Sequence, residues 1–426
     1  MSNVIKIDQH WITALCHDKK EGLQKIRSNA RLLITHGKLA GHLAFDEFSD
    51  RTFWLKSPPN ISGFPAPLAG EEFSDVDHVD YVQNFLAKHE LQFPCVFPDT
   101  MLYTACMSAA RMNRVNPLRS YLRGLTWDRK PRLGTMMADL FGAQHSRYVS
   151  KIAIWWMVSA VARVIQPGCQ ADYMLILQGA QGLRKSTALQ TLCGAEYFID
   201  KIGNVEGKDA AIALVGKWII EEGELDSMVR SELTAFKGFV TRKVDDYRPP
   251  YGRGNIKRPR TCVFAATTNG EKIFTDPTGN RRYWPVTCGA EIKVEQIEKL
   301  RDQLWGEAVS LFEGGEQWHP TKEMVQEVQD QQEERYDADV WENQIASIID
   351  TWESASSKVD FTVGEVLNSI GVQPAQQTRQ MSTRVGISLT RLGYTSDGRR
   401  LIGGKKFAVY KLKDRLPMRE PGEDDV

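Results

Sequence analysis

Along the chain the period of the apolar positions changes several times, and each change predicts an element. In "DHVDYVQNFLAKHEL" Val79, Val82, Phe85 and Leu86 fall on one helical face. A Pro/Gly-rich connection precedes it, from Pro58 to Gly70. Residues 1–125 mix short helical and strand-like pieces, an α+β region with no catalytic pattern. Pro117–Leu133 forms a junction, and a helical stretch follows up to Gln166. Its apolar part, "IAIWWMVSAVARVI", is broken by Arg163 and too short for a bilayer, so it predicts a buried core helix. Three short apolar runs come next, "ADYMLILQG", "LVGKWIIEEGEL" and "RTCVFAATTN". Strand-like runs alternating with helical segments predict a parallel sheet covered by helices. The segment "TKEMVQEVQDQQEERYDADVW" is charged and predicts an exposed linking helix.

A last unit, residues 340–413, reads as three helices and a hairpin. Met381, Val385, Leu389 and Leu392 make a buried stripe at helical spacing, which turns Arg379, Thr383, Arg384 and Ser388 outward. "DGRRLIGGKKFAVY" supplies two strand-like pieces joined by glycines and cations. This is a winged-helix layout, with a candidate recognition helix and a basic wing. The tail at 414–426 is polar and expected to be disordered.

Bulk properties narrow the function. The 426 residues allow two or three domains, and 42% hydrophobic content is that of ordinary globular protein. Lys+Arg and Asp+Glu balance at 54 each, so any nucleic-acid contact must come from a local basic patch. Seven scattered cysteines without a C-x-x-C pair point to a reducing compartment and no structural zinc. The N-terminus lacks a signal layout, so a cytoplasmic, membrane-free protein is expected.

The chemistry concentrates in "LQGAQGLRKSTALQTL", Leu177–Leu192. It approximates the phosphate-cradling pattern G-x-x-x-x-G-K-[ST], with Arg184 where glycine belongs. Gly179 and Gly182 let backbone N–H groups approach phosphate, Lys185 reaches the β/γ oxygens, and Ser186, followed by Thr187, offers a hydroxyl to Mg²⁺. Alone, the same residues make a glycine turn with a helix cap. Acids at the end of the next run strengthen the nucleotide reading. Glu221 is the metal-side candidate, Glu224 the candidate base and Glu222 its reserve. Asn269 closes the third run, where a polar amide can hold the lytic water or touch the γ-phosphate; "TGNRRYWPV" then presents Arg281 and Arg282, cations suited to transition-state charge. ATP and Mg²⁺ are the implied ligands.

Between the acids and Asn269 lies "VTRKVDDYRPPYGRGNIKRPR", where cations outnumber acids around a Pro/Gly turn. Arg248, Tyr251, Arg253, Lys257 and Arg258 combine phosphate-seeking charge with one aromatic, which suits single-stranded DNA. In the last unit Arg379, Arg384, Arg399, Arg400, Lys405 and Lys406 are the candidate DNA contacts.

In order, "GAQGLRKST", "GKWIIEEGEL", "DDYRPPYGR", "CVFAATTN", "TGNRRYWPV" and "RDQLWGEA" resemble the virulence-associated E family of phage and genomic-island proteins. These are P-loop ATPases related to superfamily 3 helicases, and the likeness spans Pro117 to Val328. It implies an AAA+-like P-loop core at 126–325 working as a ring, most simply a homo-hexamer, within an α/β chain that also carries the α+β N-terminal region and the winged helix. By resemblance Lys185 and Ser186 fall on Walker A, Glu221 and Glu224 on the Walker B-type acids, Asn269 on sensor 1, and Arg281 and Arg282 on the arginine pair. The segment around Tyr251 and Arg253 falls on the DNA-tracking hairpin. Arg184 departs from the family glycine, and no paired-carboxylate pattern for primer synthesis precedes Pro117. The expectation is an ATP-driven DNA helicase or translocase of a mobile element; the alternative is an ATP-licensed initiator or architectural ring.

Overall fold

The computed structural model describes residues 9–18, 22–91, 96–203, 205, 207–223, 230–249, 254–270, 282–335, 341–354, 360–402 and 405–412. Four apolar clusters organise them. The N-terminal cluster runs from Leu23 to Ala110. It joins α1 (Arg27–His36), α2 (Asp77–Phe85) and α3 (Asp99–Met112) to a small sheet of β1 (Leu43–Asp46), β2 (Arg51–Trp54) and β3 (Arg114–Val115). Val79, Val82, Phe85 and Leu86 are all buried, as their spacing predicts. Leu118 and Leu122 of α4 (Pro117–Gly124) belong instead to the central cluster. So does Phe48, in the turn between β1 and β2, which plugs the N-terminal unit into the centre edge-on to Tyr197, with ring centroids 5.6 Å apart.

The central unit is a mixed α/β layer structure around a five-stranded parallel sheet. Its helices on the N-terminal side are α5 (Met136–Phe141) and α6 (Arg147–Ile165). The sheet comprises β4 (Met174–Gln178), β5 (Phe198–Ile199), β6 (Ile219–Glu222), β9 (Val263–Thr268) and β10 (Tyr283–Thr287), in the order β10-β4-β9-β6-β5. Helices α7 (Lys185–Cys193), α8 (Lys208–Ala213) and α9 (Arg230–Val240) connect strands, and β7 (Val244–Tyr247) with β8 (Ile256–Pro259) forms a separate antiparallel hairpin. Strands β4 and β9 are wholly buried and read as unbroken apolar runs, as a covered parallel sheet requires. Strand β10 escapes the periodicity argument because Pro285 interrupts it; it lies at the sheet edge, where a missing N–H is tolerated.

Helix α6 is long and apolar enough to cross a bilayer, but it is the core helix of this unit, with Ile152, Trp156 and Val161 at 0% exposure. Trp156 Nε1 donates to Phe264 O at 2.9 Å, and Trp218 Nε1 donates back to Ala160 O at 2.9 Å, tying α6 to the sheet. Helix α10 (Val294–Glu313) is fixed to α7 by Trp305 Nε1 on Leu192 O at 2.7 Å. These buried indoles find partners as buried polar groups must.

Helix α11 (Val325–Glu334) corrects the expectation of an exposed linking helix. Met324, Val328 and Gln332, four residues apart, are buried, and Gln332 Nε2 donates to Tyr283 O of β10 at 2.7 Å. Only the opposite face carries the charge that dominates the sequence.

The C-terminal cluster joins α12 (Glu342–Ser354), α13 (Val363–Ser369) and α14 (Arg379–Arg391) to an antiparallel sheet of β11 (Phe361–Thr362), β12 (Tyr394–Ile402) and β13 (Lys405–Leu412), ordered β11-β13-β12. Thr362 and Glu365 cap α13 reciprocally. Val385 and Leu389 are fully buried, with Met381 and Leu392 packed beside them. Ser388, expected outside, is 1% exposed; its hydroxyl donates to Arg384 O, which lets it sit inside. The polar tail lies outside the described residues.

Candidate functional site

Strand register assembles the site. Gln178 pairs with Thr268 on one side and Thr287 on the other, and Glu222 pairs with Ala266. The loop after β4, the acids of β6 and Asn269 therefore share the carboxyl edge of the sheet, where ligands of open parallel sheets bind. Gly179 N donates to Thr268 O at 3.1 Å, which opens the turn.

The turn reverses into α7 through left-handed backbone at Gly182, φ +86°, and Arg184, φ +64°. Glycine adopts this region freely; an L side chain costs roughly 1–2 kcal/mol there. The Arg184 side chain turns away from the loop to α10, where Nη1 meets Glu295 Oε1 at 2.6 Å. That hydrogen bond holds the Glu295 carboxyl below its usual value. An exposed pair of this kind is screened by water and offsets little of the backbone strain.

Lys185 is 7% exposed and leads α7. Its Nζ donates to Gly179 O at 2.7 Å, Ala180 O at 2.9 Å and Asn269 Oδ1 at 3.0 Å, so the ammonium is held over the loop. Ser186 and Thr187 occupy the exposed first turn, whose N–H groups have no intrahelical acceptors and form an anion site with the helix dipole. Ser186 Oγ donates to Glu221 Oε1 at 2.8 Å, and Thr267 Oγ1 donates to the same oxygen at 2.6 Å. Glu221 is 1% exposed. Burial pushes its pKa up; the bonds from Thr267 and Ser186 oppose that shift. Its Oε2 is buried without a hydrogen-bond partner among the described residues.

A buried, half-satisfied carboxylate beside a serine hydroxyl at an anion-binding turn fits a Mg²⁺–phosphate pair. Mg²⁺ takes oxygen donors and needs only one or two from protein, its other positions going to phosphate and water. No group of three metal-ligating side chains occurs among the described residues, and none is needed for this mode.

Glu222 is also buried, but strand alternation sends it to the opposite face from Glu221. Glu224 and Arg281 lie outside the described residues. Arg282 is half-buried just before β10. Because Tyr283 pairs with Met174 and Thr287 with Gln178, Arg282 sits at the amino edge of the sheet. That is five residues, roughly 16 Å of strand, from the level of its own loop.

The basic surfaces are used differently from the sequence reading. Tyr251 and Arg253 lie outside the described residues, while Arg248 and Lys257 are exposed. Lys257 stands across the hairpin from Asp246. Arg258 is a correction. Its Nη2 donates to Glu47 O at 2.9 Å and Phe48 O at 2.7 Å, and Nη1 lies 3.8 Å from Asp50 Oδ2, clasping the hairpin to the N-terminal unit. Arg260 is buried at the hairpin base in a two-point pair with Asp245, at 2.5 and 3.0 Å. In the C-terminal unit Arg384 stacks 4.0 Å from the Trp341 ring centroid, and Arg400 pairs with Asp360 and Glu365. Both were expected to face DNA; distant partners in the fold engage them instead. Arg379, Arg399 and Lys406 are exposed, and the Lys405 side chain lies outside the described residues.

Sequence reasoning missed Arg335, which reaches the carboxyl edge beside the loop through bonds to Gln178 and Thr287. Its context, "QDQQEERYD", carries no signal beyond a polar helix end.

Among known proteins, no curated one matches the chain. Two solved structures align along most of it. The apo structure of the NrS-1 C-terminal region (305–718) shares 11% identity over 87% of this chain and 95% of that one, with a TM-score of 0.46. An A-form apo structure of the same region shares 12% over 87% and 96%, with a TM-score of 0.43. A family described as the virulence-associated protein E-like domain matches residues 122–337, which cover the strand–loop–helix, the acids, the hairpin and α11. The chain belongs to the virulence-associated protein E-like family.

Proposed function

We propose that the chain is an ATP-dependent DNA translocase or helicase of a phage or mobile-element replication module, with an AAA+-like P-loop core and a winged-helix unit after it. The observation that carries this reading is the convergence at one sheet edge of Lys185, the bonded pair Ser186–Glu221 and the bonded pair Lys185–Asn269. Hydrolysis of a nucleoside triphosphate needs those parts: a cation for the phosphates, a hydroxyl and an acid for the metal, and a polar group for water. In this scheme Lys185 and the first-turn N–H groups of α7 bind the β/γ-phosphates. Ser186 and Glu221 would hold Mg²⁺, which when bound would supply positive charge against the developing phosphate charge. Asn269 orients the attacking water, and Glu224 takes its proton.

The remote position of Arg282 supports action in trans. An arginine roughly 16 Å from its own loop completes a neighbour's site more readily than its own, which favours a homo-oligomeric ring, most simply a hexamer. The hairpin and the exposed Arg379, Arg399 and Lys406 supply the DNA contacts.

Arg184 favours a second reading, an initiator or architectural ring in which ATP licenses assembly and turnover is slow. Its strained backbone stands where the resemblance expects glycine. Steady-state ATP hydrolysis with and without single-stranded DNA separates the two. A motor is stimulated several-fold and unwinds a forked duplex; a licensed ring binds ATP and DNA with neither effect. Absence of ATP binding overturns both.

A further inference from the structure

Behind the phosphate loop runs a polar chain that has no assigned role in nucleotide chemistry. Gln178, the residue before Gly179, is 7% exposed. Its Oε1 accepts from Arg335 Nε at 2.9 Å and from Thr287 Oγ1 at 3.1 Å, while its Nε2 donates to Gly270 O at 2.9 Å. Arg335 also donates from Nη2 to Thr287 Oγ1 at 3.0 Å and from Nη1 to Gln331 O at 2.7 Å. Gly270 follows Asn269, whose Oδ1 accepts from Lys185. The chain therefore runs without a break from α11 to the lysine of the loop.

The direction of these bonds is imposed from both ends. A carboxamide can present its oxygen or its nitrogen to a neighbour. A guanidinium offers donors only, so Gln178 must turn its oxygen toward Arg335. The planar amide then has to aim its N–H at Gly270 O. Thr287, accepting from Arg335, is left to donate to Gln178 Oε1. Without the guanidinium, the Gly270 carbonyl alone holds the amide's sense, and the hydroxyl has none fixed. Charge assistance strengthens the Arg335 bonds at one end of the chain as it does the Lys185 bond at the other.

We propose that Arg335 is a positioning residue for the candidate nucleotide site. With the Gly270 carbonyl on its other side, it anchors the Gln178 carboxamide, which holds the Asn269–Gly270 turn and, through Asn269, the ammonium of Lys185. The inference rests on the nucleotide-hydrolysis reading above and adds to it a residue on the helix outside the loop.

The test uses the full chain, with kcat and KM for ATP, the Kd for Mg·ADP by calorimetry, and Tm. Arg335→Ala is expected to lower kcat about tenfold while the ADP Kd changes less than about threefold, with Arg335→Lys intermediate. Gln178→Glu is the decisive variant. It keeps an acceptor for Arg335, and so the tie to α11, but has no N–H for Gly270. It should lose kcat as Arg335→Ala does, about tenfold, without losing Tm. Wild-type kcat in Gln178→Glu overturns the proposal and leaves Arg335 a staple between helix and sheet. The proposal falls equally if kcat losses among the variants simply track Tm. If the wild-type chain neither binds Mg·ADP nor hydrolyses ATP, the nucleotide reading itself fails, an outcome distinct from the first.

Discussion

The candidate phosphate loop and the basic hairpin carry the same kind of sequence signal, cations among glycines, yet the fold treats them differently. At the loop, Lys185 points where its sequence neighbours say it should, because Gly182 and the start of α7 fix the backbone around it. In the hairpin and the C-terminal unit, Arg258, Arg260, Arg384 and Arg400 are engaged by Phe48, Asp245, Trp341 and Asp360, the first and last of these 210 and 40 residues away. A cation whose role is set by local backbone geometry is legible in sequence. One whose partner arrives through tertiary contact is not, and counting charge overstates the surface available to DNA.

Glu221 gives the largest expected effect on the loop side of this contrast. Glu221→Gln should lower ATP hydrolysis by on the order of a hundredfold, since it removes the metal-side charge. It should also raise Tm in the absence of Mg²⁺. The sign follows from burial, which raises the Glu221 pKa in the folded state. A raised carboxyl pKa means that the neutral form is favoured by folding; that stability is present at low pH and lost as pH rises through the folded value. Ionised Glu221 therefore destabilises the chain at neutral pH, and the amide does not. Thermal melts at about pH 4 and about pH 8 check this: the variant's advantage should be confined to the higher pH. An unchanged Tm together with full hydrolysis would remove Glu221 from the site.

On the hairpin side, two cations one residue apart should separate. Arg258→Ala should cost about 1–2 kcal/mol of stability by freeing two carbonyls of the β1–β2 turn, and leave the salt slope of DNA binding unchanged. Lys257→Ala should spare Tm and reduce that slope by about 1. Binding isotherms at several salt concentrations, with melts alongside, decide it; the reverse pattern would restore Arg258 as a phosphate contact.

The smallest effect is expected at Arg184. Arg184→Gly relieves left-handed backbone worth roughly 1–2 kcal/mol, offset by the entropy of glycine and the loss of Glu295. Tm should move by only a few degrees, and turnover should hold or rise. Lost ADP binding would make Arg184 a ligand.

How far the sequence could be read follows the same division. Parallel strands β4 and β9 announced themselves because burial on both faces leaves apolar runs, and β6 through the apolar residues 218–220 ahead of its two acids. Strand β5 has two residues and β10 a proline, so periodicity had nothing to register there. Lys185, Ser186, Glu221 and Asn269 could be picked out as candidates because each sits at a strand or helix end, where polar residues after apolar runs stand out. Arg335 was invisible: the partners that orient it, Gln178 and Thr287, are 157 and 48 residues distant. The charge of α11 likewise hid the buried face of Met324, Val328 and Gln332.

The most direct test of the central claim, that Gly179–Thr187 holds nucleotide phosphates, is an equilibrium titration of Mg·ADP into the wild-type chain and Lys185→Ala. The Lys185 ammonium bonds to the loop and to Asn269, away from the apolar clusters, so the variant should fold. Saturable binding at one nucleotide per chain, weakened at least about tenfold by Lys185→Ala with little change in Tm, is the predicted result. No binding by the wild type, or equal binding by a folded Lys185→Ala chain, would contradict it.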